Sequence, residues 1–252
     1  MRLRSVIRMT DIAVEVSGLS RRYRQKTALD GVDLRVVSGE TVGILGGNGA
    51  GKSTLVETIA GLRRPSQGSV RVLGLDPWRD SARVRGVLGV QLQEAELHSD
   101  LTVAENVRLH RSFYRDGERP EELIDRLGLR ESAKVRAQHL SGGQLQRLSV
   151  AVALVGRPRV VVLDELTTGL DPEGRRDIWR LIEQLQERGV TVLLVSHSMD
   201  EVERLCGRVV MLDGGRVAIE GTPTALMTRT GSDNLDDAFL RVRERSSERR
   251  AS

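Results

Sequence analysis

The chain contains few aromatic residues and one cysteine. Phe, Trp and Tyr together make up 2% of its 252 residues, which disfavours the stacking surfaces that bind single-stranded nucleic acid. Cys206 has no second cysteine to pair with, so we expect no internal disulfide and a reducing compartment. No apolar run approaches the roughly 18 residues that cross a bilayer. We therefore expect this chain to be soluble by itself.

Lysine is also scarce, and the basic residues are almost all arginine. Lys and Arg together number 39 against 35 Asp and Glu, which gives a net charge of +4. Because the two signs nearly balance, we expect a mixed solvated surface and no dedicated nucleic-acid patch. The segment Met1 to Arg8 is basic, but its apolar stretch is too short and interrupted for a secretory signal. Met9 is an alternative start.

A glycine-rich loop is the first motif that carries chemistry. Gly46, Gly51, Lys52 and Ser53 fit the phosphate-binding pattern G-x-x-x-x-G-K-[ST]. A dinucleotide-binding pattern does not fit, because in the frame from Gly47 its third glycine falls at Lys52. We expect Lys52 to reach the β- and γ-phosphates of a nucleotide and Ser53 to ligate Mg²⁺. The whole loop is Gly46, Gly47, Asn48, Gly49, Ala50, Gly51, Lys52, Ser53 and Thr54.

Two carboxylates follow a second apolar run. After Arg159, the residues from Val160 to Leu163 are all aliphatic, and most are β-branched. This pattern predicts a buried strand that ends at Asp164 and Glu165. In the presence of a phosphate loop, we expect Asp164 to hold Mg²⁺ through water. Glu165 is expected to polarise the water that attacks the γ-phosphate.

These motifs, with a third segment, resemble the ATP-binding-cassette (ABC) ATPases from about Ile12 to about Phe239. The third segment is Leu140, Ser141, Gly142, Gly143 and Gln144, which matches the family's signature motif. The resemblance implies ATP and Mg²⁺ as ligands and ATP hydrolysis as the activity. It also implies a head-to-tail dimer, in which Ser141 and Gly143 of one subunit close on the γ-phosphate held by Lys52 of the other.

Further residues match smaller motifs of the same family. Tyr23 corresponds to the aromatic residue that stacks on adenine, and His197 to the switch histidine that contacts the γ-phosphate. Gln93 matches the glutamine that senses Mg²⁺ and the membrane partner, and Gln91 is the less favoured register. Asp171, after Gly169 and Leu170, matches the D-loop. By resemblance, the catalytic set is Glu165, His197 and Gln93, and the metal set is Ser53, Gln93 and Asp164.

Two positions depart from the family pattern. Gly47 replaces the proline that is common at the second position of the phosphate loop, and Leu166 replaces the proline that usually follows the catalytic glutamate. Neither change removes a chemical group, so we expect an active enzyme. The local rigidity of the backbone, and with it the turnover rate, is expected to differ from that of family members with the two prolines.

The expected fold is α/β. The resemblance implies a P-loop NTPase core of the ABC type, a mixed parallel sheet with flanking helices, together with an antiparallel β subdomain and a helical subdomain. We place the ATPase domain at 10–230, its helical lobe at about 95–158, and a C-terminal helix with an arginine-rich tail at 231–252. Helices are expected at 53–60, from a cap at Asp100 or Thr102, from Pro120, and from Asp171 to a stop at Gly189.

The stretches 89–97, 101–106 and 235–240 resemble the ATPases of ABC-2 type exporters, including the daunorubicin-resistance group. This resemblance implies export of a drug, natural product or lipid, with separate polytopic permease subunits, at the cytoplasmic face of the membrane. The tail arginines after Arg241 are interpreted either as a solvated tail or as a contact to anionic lipid. The alternatives are an importer ATPase and a non-transport ABC ATPase. An ATP-binding cassette without turnover is disfavoured by Glu165 and His197.

Overall fold

The computed structural model describes residues 12–24, 26–92 and 97–251. Nine strands and nine α-helices form in this part of the chain. The strands are β1 (Ile12–Tyr23), β2 (Lys26–Val37), β3 (Thr41–Gly46), β4 (Gln67–Val72), β5 (Leu88–Gln91), β6 (Val160–Asp164), β7 (Thr191–Val195), β8 (Arg208–Asp213) and β9 (Arg216–Gly221). The helices are α1 (Lys52–Ile59), α2 (Ser81–Arg85), α3 (Val103–Arg111), α4 (Pro120–Arg126), α5 (Gly142–Leu154), α6 (Pro172–Glu187), α7 (Met199–Leu205), α8 (Pro223–Thr230) and α9 (Leu235–Ala251).

A six-stranded sheet lies at the centre, in the order β5-β6-β7-β3-β8-β9. Its strands are parallel except for β9, which pairs antiparallel with β8. The side chains of β6 alternate between two cores, with Val161 and Leu163 on one face and Val160 and Val162 on the other. Because both faces are covered, such strands are apolar without interruption. The carboxyl ends of β3, β6 and β7 meet along one edge of the sheet, which is where the expected site residues stand.

A smaller antiparallel sheet, ordered β2-β1-β4, packs beside the central one. Leu19 and Leu34 from this sheet share a core with Leu55 of α1 and with Ile44 and Val195 of the central sheet. Helix α1 therefore starts at the end of β3 and is held between the two sheets. The mixed central sheet, the separate antiparallel sheet and the flanking helices agree with the expected fold class.

The helix boundaries follow their capping residues. Thr102, and not Asp100, caps α3, because its side chain accepts from the backbone N–H of Glu105 in a capping box. Helix α4 begins at Pro120, as predicted. Helix α6 is capped by Asp171 at its start, and Gly189 follows its end with φ 73°. Helices α3, α4 and α5 form the part of the chain for which a helical lobe was proposed.

The C-terminal arginines belong to a helix. Helix α9 continues to Ala251, and Arg241, Arg243 and Arg245 are exposed on it. Leu235, Ala238 and Val242 bury one side of its first turns in the main core, and the acidic pair Asp236 and Asp237 favours its N-terminal end. Within the described ranges, no helix is both long and apolar enough to cross a membrane.

Candidate active site

The phosphate-binding loop joins the end of β3 to the start of α1, and two of its glycines are required by close contacts. A Cβ on Gly46 would lie 2.6 Å from the carbonyl oxygen of Leu212. Gly51 has φ 106° and a Cβ there would lie 2.5 Å from the carbonyl oxygen of Ala28. Larger residues are therefore excluded at both positions. The result is a backbone loop that opens directly into the N-terminus of α1, an arrangement suited to binding phosphate.

Lys52 lies at the centre of this loop. Its side chain is buried, and its Nζ donates to the carbonyl oxygens of Gly46 at 2.8 Å and Gly47 at 3.3 Å. Burial lowers the pKa of Lys52, while the charges of Glu165 and Asp164 oppose that shift. The ammonium group is thus held at the mouth of the loop and near two carboxylates. The next residue, Ser53, is exposed.

Asp164 ends β6 and is almost fully buried, with 5% of its surface exposed. Its backbone N–H donates to Oε1 of Gln91 at 3.0 Å. Burial, followed by the repulsion of Glu165, raises the pKa of Asp164 to about 6, although the Lys52 charge opposes the shift. A carboxyl group with this pKa loses its proton most readily when further positive charge is brought next to it.

Glu165 is held in an unusual backbone conformation. Its φ is 53°, in the left-handed region that few residues other than glycine adopt. The backbone N–H donates to Val195 at 2.9 Å, and the carboxylate Oε1 lies 2.7 Å from Nε2 of His197. The neighbouring Leu166 is fully buried.

A buried hydrogen-bond network supports the turn that carries His197. The hydroxyl of Ser196 donates to the carboxylate of Glu201 and accepts from the backbone N–H of Ser198 at 3.0 Å. Trp179 Nε1 donates to the other Glu201 oxygen at 3.2 Å. Burial raises the pKa of Glu201. Sequence reasoning missed this group, because one Glu on an amphipathic helix carries no signal of burial.

The signature segment forms the start of α5. Ser141 is its N-cap and accepts from the Gln144 backbone N–H at 3.2 Å, while Gln144 Oε1 accepts from the Ser141 N–H at 2.9 Å. Gln144 also donates to the Ser132 hydroxyl at 2.8 Å. A Cβ on Gly142 would meet nothing within 4 Å. The residues of this segment are thus ordered by their own caps, and Gly142 faces open space.

The D-loop residue lies next to the signature segment. Asp171 caps α6 by accepting from the Gly174 backbone N–H at 2.7 Å. A Cβ on Gly143 would lie 3.1 Å from a methyl carbon of Leu170. Contacts between these two motifs are therefore made within one chain. No hydrogen bond or ion pair among the described residues joins either motif to the phosphate loop.

Tyr23 stands at the end of β1 and its ring is covered by cations. The guanidinium carbons of Arg21 and Arg63 lie 4.7 and 5.8 Å from the ring centre. Two further cations, which sequence reasoning missed, approach the phosphate loop from outside it. The Nζ of Lys26 lies 3.6 Å from the Cβ position of Gly49, and the guanidinium of Arg243 lies beside Gly47. Neither residue belongs to a motif, so no local pattern marks it.

Of the two candidate glutamines, only Gln91 lies within the described residues. Gln91 is buried at the end of β5, where its side chain accepts from the Asp164 backbone and donates to the Leu92 carbonyl at 3.1 Å. It is therefore occupied in the sheet, which favours the register with Gln93. Gln93 itself lies outside the described residues. Among the residues that are described, no group of three or more His, Cys, Asp or Glu side chains forms a metal cluster.

Comparison with known protein families gives a match over residues 29–168 to the family model described as ABC transporter. The chain is 40% identical over 233 residues to the daunorubicin resistance ATP-binding protein DrrA3 of Streptomyces coeruleorubidus, covering 90% of this chain and 74% of that protein. It is also 40% identical to the Nod factor export ATP-binding protein I of Neorhizobium galegae, covering 86% of this chain and 64% of that one. A methionine import ATP-binding protein, MetN of Streptomyces coelicolor, is 39% identical, with 87% and 68% covered.

Solved structures resemble most of the described fold. An ATP-binding subunit of an ABC transporter superposes with a TM-score of 0.85 at 28% identity, covering 91% of this chain and 99% of the other. The ATP-binding cassette MJ0796, in a dimeric post-hydrolysis state bound to ADP and phosphate, gives a TM-score of 0.77 at 29% identity, with 83% and 98% covered. The chain spans 64% to 74% of the length of the three sequence relatives.

Proposed function

Because this chain belongs to the ABC transporter family, we propose that it is the ATP-hydrolysing subunit of an exporter, docked on separate membrane subunits. The observation that carries the enzymatic part is the meeting of Lys52, Glu165 and His197 at the carboxyl ends of three adjacent parallel strands. The loop supplies phosphate ligands, the carboxylate supplies a base, and the imidazole lies 2.7 Å from that base.

Lys52 and the loop backbone bind the phosphates. The Lys52 Nζ now donates to the Gly46 and Gly47 carbonyls, and an anion at the loop mouth offers it a charged acceptor instead. Charge-assisted hydrogen bonds of this kind are about twice as strong as neutral ones. Burial lowers the pKa of Lys52, and the negative charge of a bound phosphate would oppose that lowering. The N-terminus of α1 contributes its backbone N–H groups to the same anion.

The oxygen donors at the site fit Mg²⁺. Ser53 is exposed beside Lys52, and the Asp164 carboxylate ends the adjoining strand. Hydroxyl and carboxylate oxygens are the ligands that Mg²⁺ prefers. Burial and the charge of Glu165 raise the pKa of Asp164 to about 6, and a divalent cation beside the carboxylate would favour its ionised form. When bound, Mg²⁺ neutralises charge on the β- and γ-phosphates. Gln93 is proposed as a further ligand by family resemblance.

Glu165 is proposed to accept the proton of the attacking water. The left-handed backbone at this residue and its hydrogen bond to Val195 fix its position at the end of β6, and its carboxylate lies 2.7 Å from Nε2 of His197. His197, whose side chain is 45% exposed and lies 2.7 Å from Glu165, is proposed to contact the γ-phosphate as well. The buried network of Ser196 and Glu201 fixes the backbone on either side of it.

The signature segment is proposed to act on the nucleotide of a second subunit. Ser141 and the glycines at the start of α5 present a hydroxyl, backbone N–H groups and the positive end of a helix. The open space around Gly142 leaves room for a partner to approach. ATP then bridges two subunits, each of which supplies the phosphate loop for one nucleotide and the signature segment for the other.

Export is favoured by the relatives. Of the three compared, one is named for daunorubicin resistance and one for Nod factor export, so we propose a drug, natural product or lipid as cargo. The similarity to a methionine import protein keeps an importer as the second candidate. Cargo selection is assigned to the membrane subunits, and the site of action to the cytoplasmic face of the membrane.

The test is recovery of this subunit from detergent-solubilised native membranes, with mass spectrometry of the proteins that accompany it. We expect a protein with many membrane spans and no solute-binding protein. The Lys52→Ala variant, prepared identically, controls for capture that does not depend on nucleotide. A solute-binding protein in the complex would indicate an importer. Ribosomal or DNA-bound partners would contradict the proposal that this subunit drives transport.

A further inference from the structure

Helix α9 is fixed against the body of the ATPase. Its buried residues Leu235, Ala238 and Val242 lie in the main core, and the backbone N–H of Leu235 donates to Glu203 of α7 at 3.1 Å. The Arg241 side chain donates to the Thr230 carbonyl at the end of α8 at 2.8 Å. The backbone of α9 is thus anchored up to Val242, the residue directly before Arg243.

From this helix the side chain of Arg243 reaches the phosphate-binding loop. A Cβ built on Gly47 would lie 3.4 Å from the guanidinium carbon of Arg243 and 3.5 Å from its Nε and Nη2. The same guanidinium lies 5.7 Å from the ring centre of Phe239, one turn earlier on α9. The charge of Arg243 therefore lies beside the loop, and the aromatic ring of Phe239 on the same helix is one of the groups that contact it.

The absence of a side chain at position 47 matters to this contact. Gly47 does not adopt a positive φ, so its backbone conformation does not call for glycine. A single Cβ would be in van der Waals contact with the guanidinium, and the ring of a proline extends further than that. The family's usual proline is thus exchanged here for a glycine at the point where Arg243 approaches.

Gly47 lies at the β3 end of the loop, beside the Nζ of Lys52. Its carbonyl, with that of Gly46, accepts from Nζ of Lys52, and in this type of loop the lysine reaches the β- and γ-phosphates. A second cation against Gly47 is therefore closer to the γ end of a bound nucleotide than to the base. A triphosphate, which carries one more phosphate at this end, gains more from that charge than a diphosphate does.

We propose that Arg243 is a second cation of the phosphate site, supplied by the C-terminal helix of the same chain, and that it strengthens binding of ATP over ADP. Arg243 acts through the electrostatic field at the loop, as a positioning residue for the terminal phosphate. Gly47 is the matching feature of the loop, since it leaves room for the guanidinium. The proposal rests on the nucleotide-binding activity, and not on the identity of the cargo.

The test is a titration of the purified chain with ATP and with ADP, in EDTA so that neither hydrolysis nor Mg²⁺-dependent association intervenes. We expect Arg243→Gln to weaken ATP about fivefold and ADP by less than about twofold. Arg243→Lys, which keeps the charge, should recover part of the loss. Arg245→Gln removes the same charge from an exposed position two residues along the helix, and should leave both affinities unchanged.

A second variant tests the geometry. Gly47→Pro should displace the guanidinium and reproduce the loss seen in Arg243→Gln, and the double variant should be no weaker than either single one. Raising the salt from about 50 to about 500 mM should reduce the ATP-over-ADP preference in the wild type more than in Arg243→Gln. Equal loss for ATP and ADP, additive effects, or no effect of Arg243→Gln would overturn the inference. A wild-type chain that binds no nucleotide would instead refute the ATPase function itself.

Discussion

The phosphate loop and the signature segment are both glycine-containing turns that lead into a helix, but their glycines face different surroundings. At Gly46 and Gly51 a Cβ would lie 2.6 and 2.5 Å from carbonyl oxygens of the same chain. At Gly142 a Cβ would meet nothing within 4 Å. Two glycines of the phosphate loop are thus crowded by the backbone of their own chain, whereas Gly142 is open and its neighbour Gly143 approaches only a side-chain methyl of Leu170.

This difference separates two reasons for a glycine. The fold of a single chain requires Gly46 and Gly51, because any side chain there would strike backbone that cannot move far. Nothing in the described chain requires Gly142, so its requirement is expected to come from a surface outside the chain. The polar side chains differ as well, since Lys52 and Asp164 of the phosphate site are buried while Ser141 of the signature segment lies on the surface. The comparison supports a site completed by a second subunit.

The largest expected effect separates chemistry from association. Glu165→Gln removes the proposed base but keeps the size and hydrogen-bonding capacity of the side chain. We expect ATP hydrolysis to fall at least about 100-fold while ATP binding is retained. The bound ATP, which is not hydrolysed, should then hold two subunits together. Size-exclusion chromatography with ATP and Mg²⁺ should show a dimer, and the same variant with ADP should run as a monomer. A monomer in both nucleotides would contradict the head-to-tail arrangement.

Lys52→Ala tests the phosphate loop, the region that is crowded by its own chain. The variant removes the buried ammonium that faces the Gly46 and Gly47 carbonyls, and with it the charge that pairs with the phosphates. We expect ATP affinity to fall by about 30-fold to 100-fold, the size of a lost hydrogen-bonded charge. A nucleotide titration measures it, with circular dichroism to confirm that the chain is folded. Wild-type affinity in a folded variant would refute the role given to Lys52.

The paired variants Gly46→Ala and Gly142→Ala test the comparison directly. Gly46→Ala forces a methyl group against the Leu212 carbonyl and is expected to lower the free energy of unfolding of the monomer by roughly 1–3 kcal/mol. Gly142→Ala should leave monomer stability unchanged, or raise it slightly because alanine favours a helix. Its cost should be seen in the ATP-dependent dimer of the Glu165→Gln background. Equal thermal stability of the two variants would refute the distinction between the two loops.

Much of this arrangement follows from local sequence. The apolar runs that end at Gly46, Asp164 and Val195 predict buried parallel strands, and parallel strands bring their carboxyl ends to one edge. Thr102 and Pro120 mark helix starts because capping and proline geometry act over one turn. The fold class was therefore predictable, and so was the grouping of Lys52 with the two carboxylates. Roles within that group stay predictions.

The features that sequence reasoning missed depend on contacts between distant segments. Lys26 and Arg243 approach the loop from β2 and α9, and nothing in their neighbouring residues indicates it. Glu201 lies on α7 and is buried only because Ser196 and Trp179 close over it. Helix α9 continues through its arginines to Ala251, which their spacing does not indicate because they follow no apolar pattern, and its first turns are anchored in the core.

The smallest expected effect concerns the buried charge of Asp164 and the pH dependence of stability that it causes. The pKa of Asp164 is raised from 3.8 to about 6 in the folded chain. Folding therefore favours its protonated form, and the associated stability is lost as the pH rises from about 4 through 6. In Asp164→Asn this loss is absent. The variant should thus gain stability relative to the wild type by about 1.5 kcal/mol between pH 5 and pH 8, without nucleotide or Mg²⁺.

Thermal or urea unfolding at the two pH values measures this difference. Asp177→Asn is a suitable control, because that carboxylate is partly exposed on α6 and pairs with Arg180 at the surface, and its effect should be small at both pH values. Addition of Mg²⁺ and ATP should reverse the order at pH 8, since the wild-type carboxylate then has a cation to hold and the amide does not. A difference that is constant from pH 5 to pH 8 would mean that Asp164 ionises freely in the folded chain. The buried charge would then no longer distinguish the phosphate loop from the signature segment.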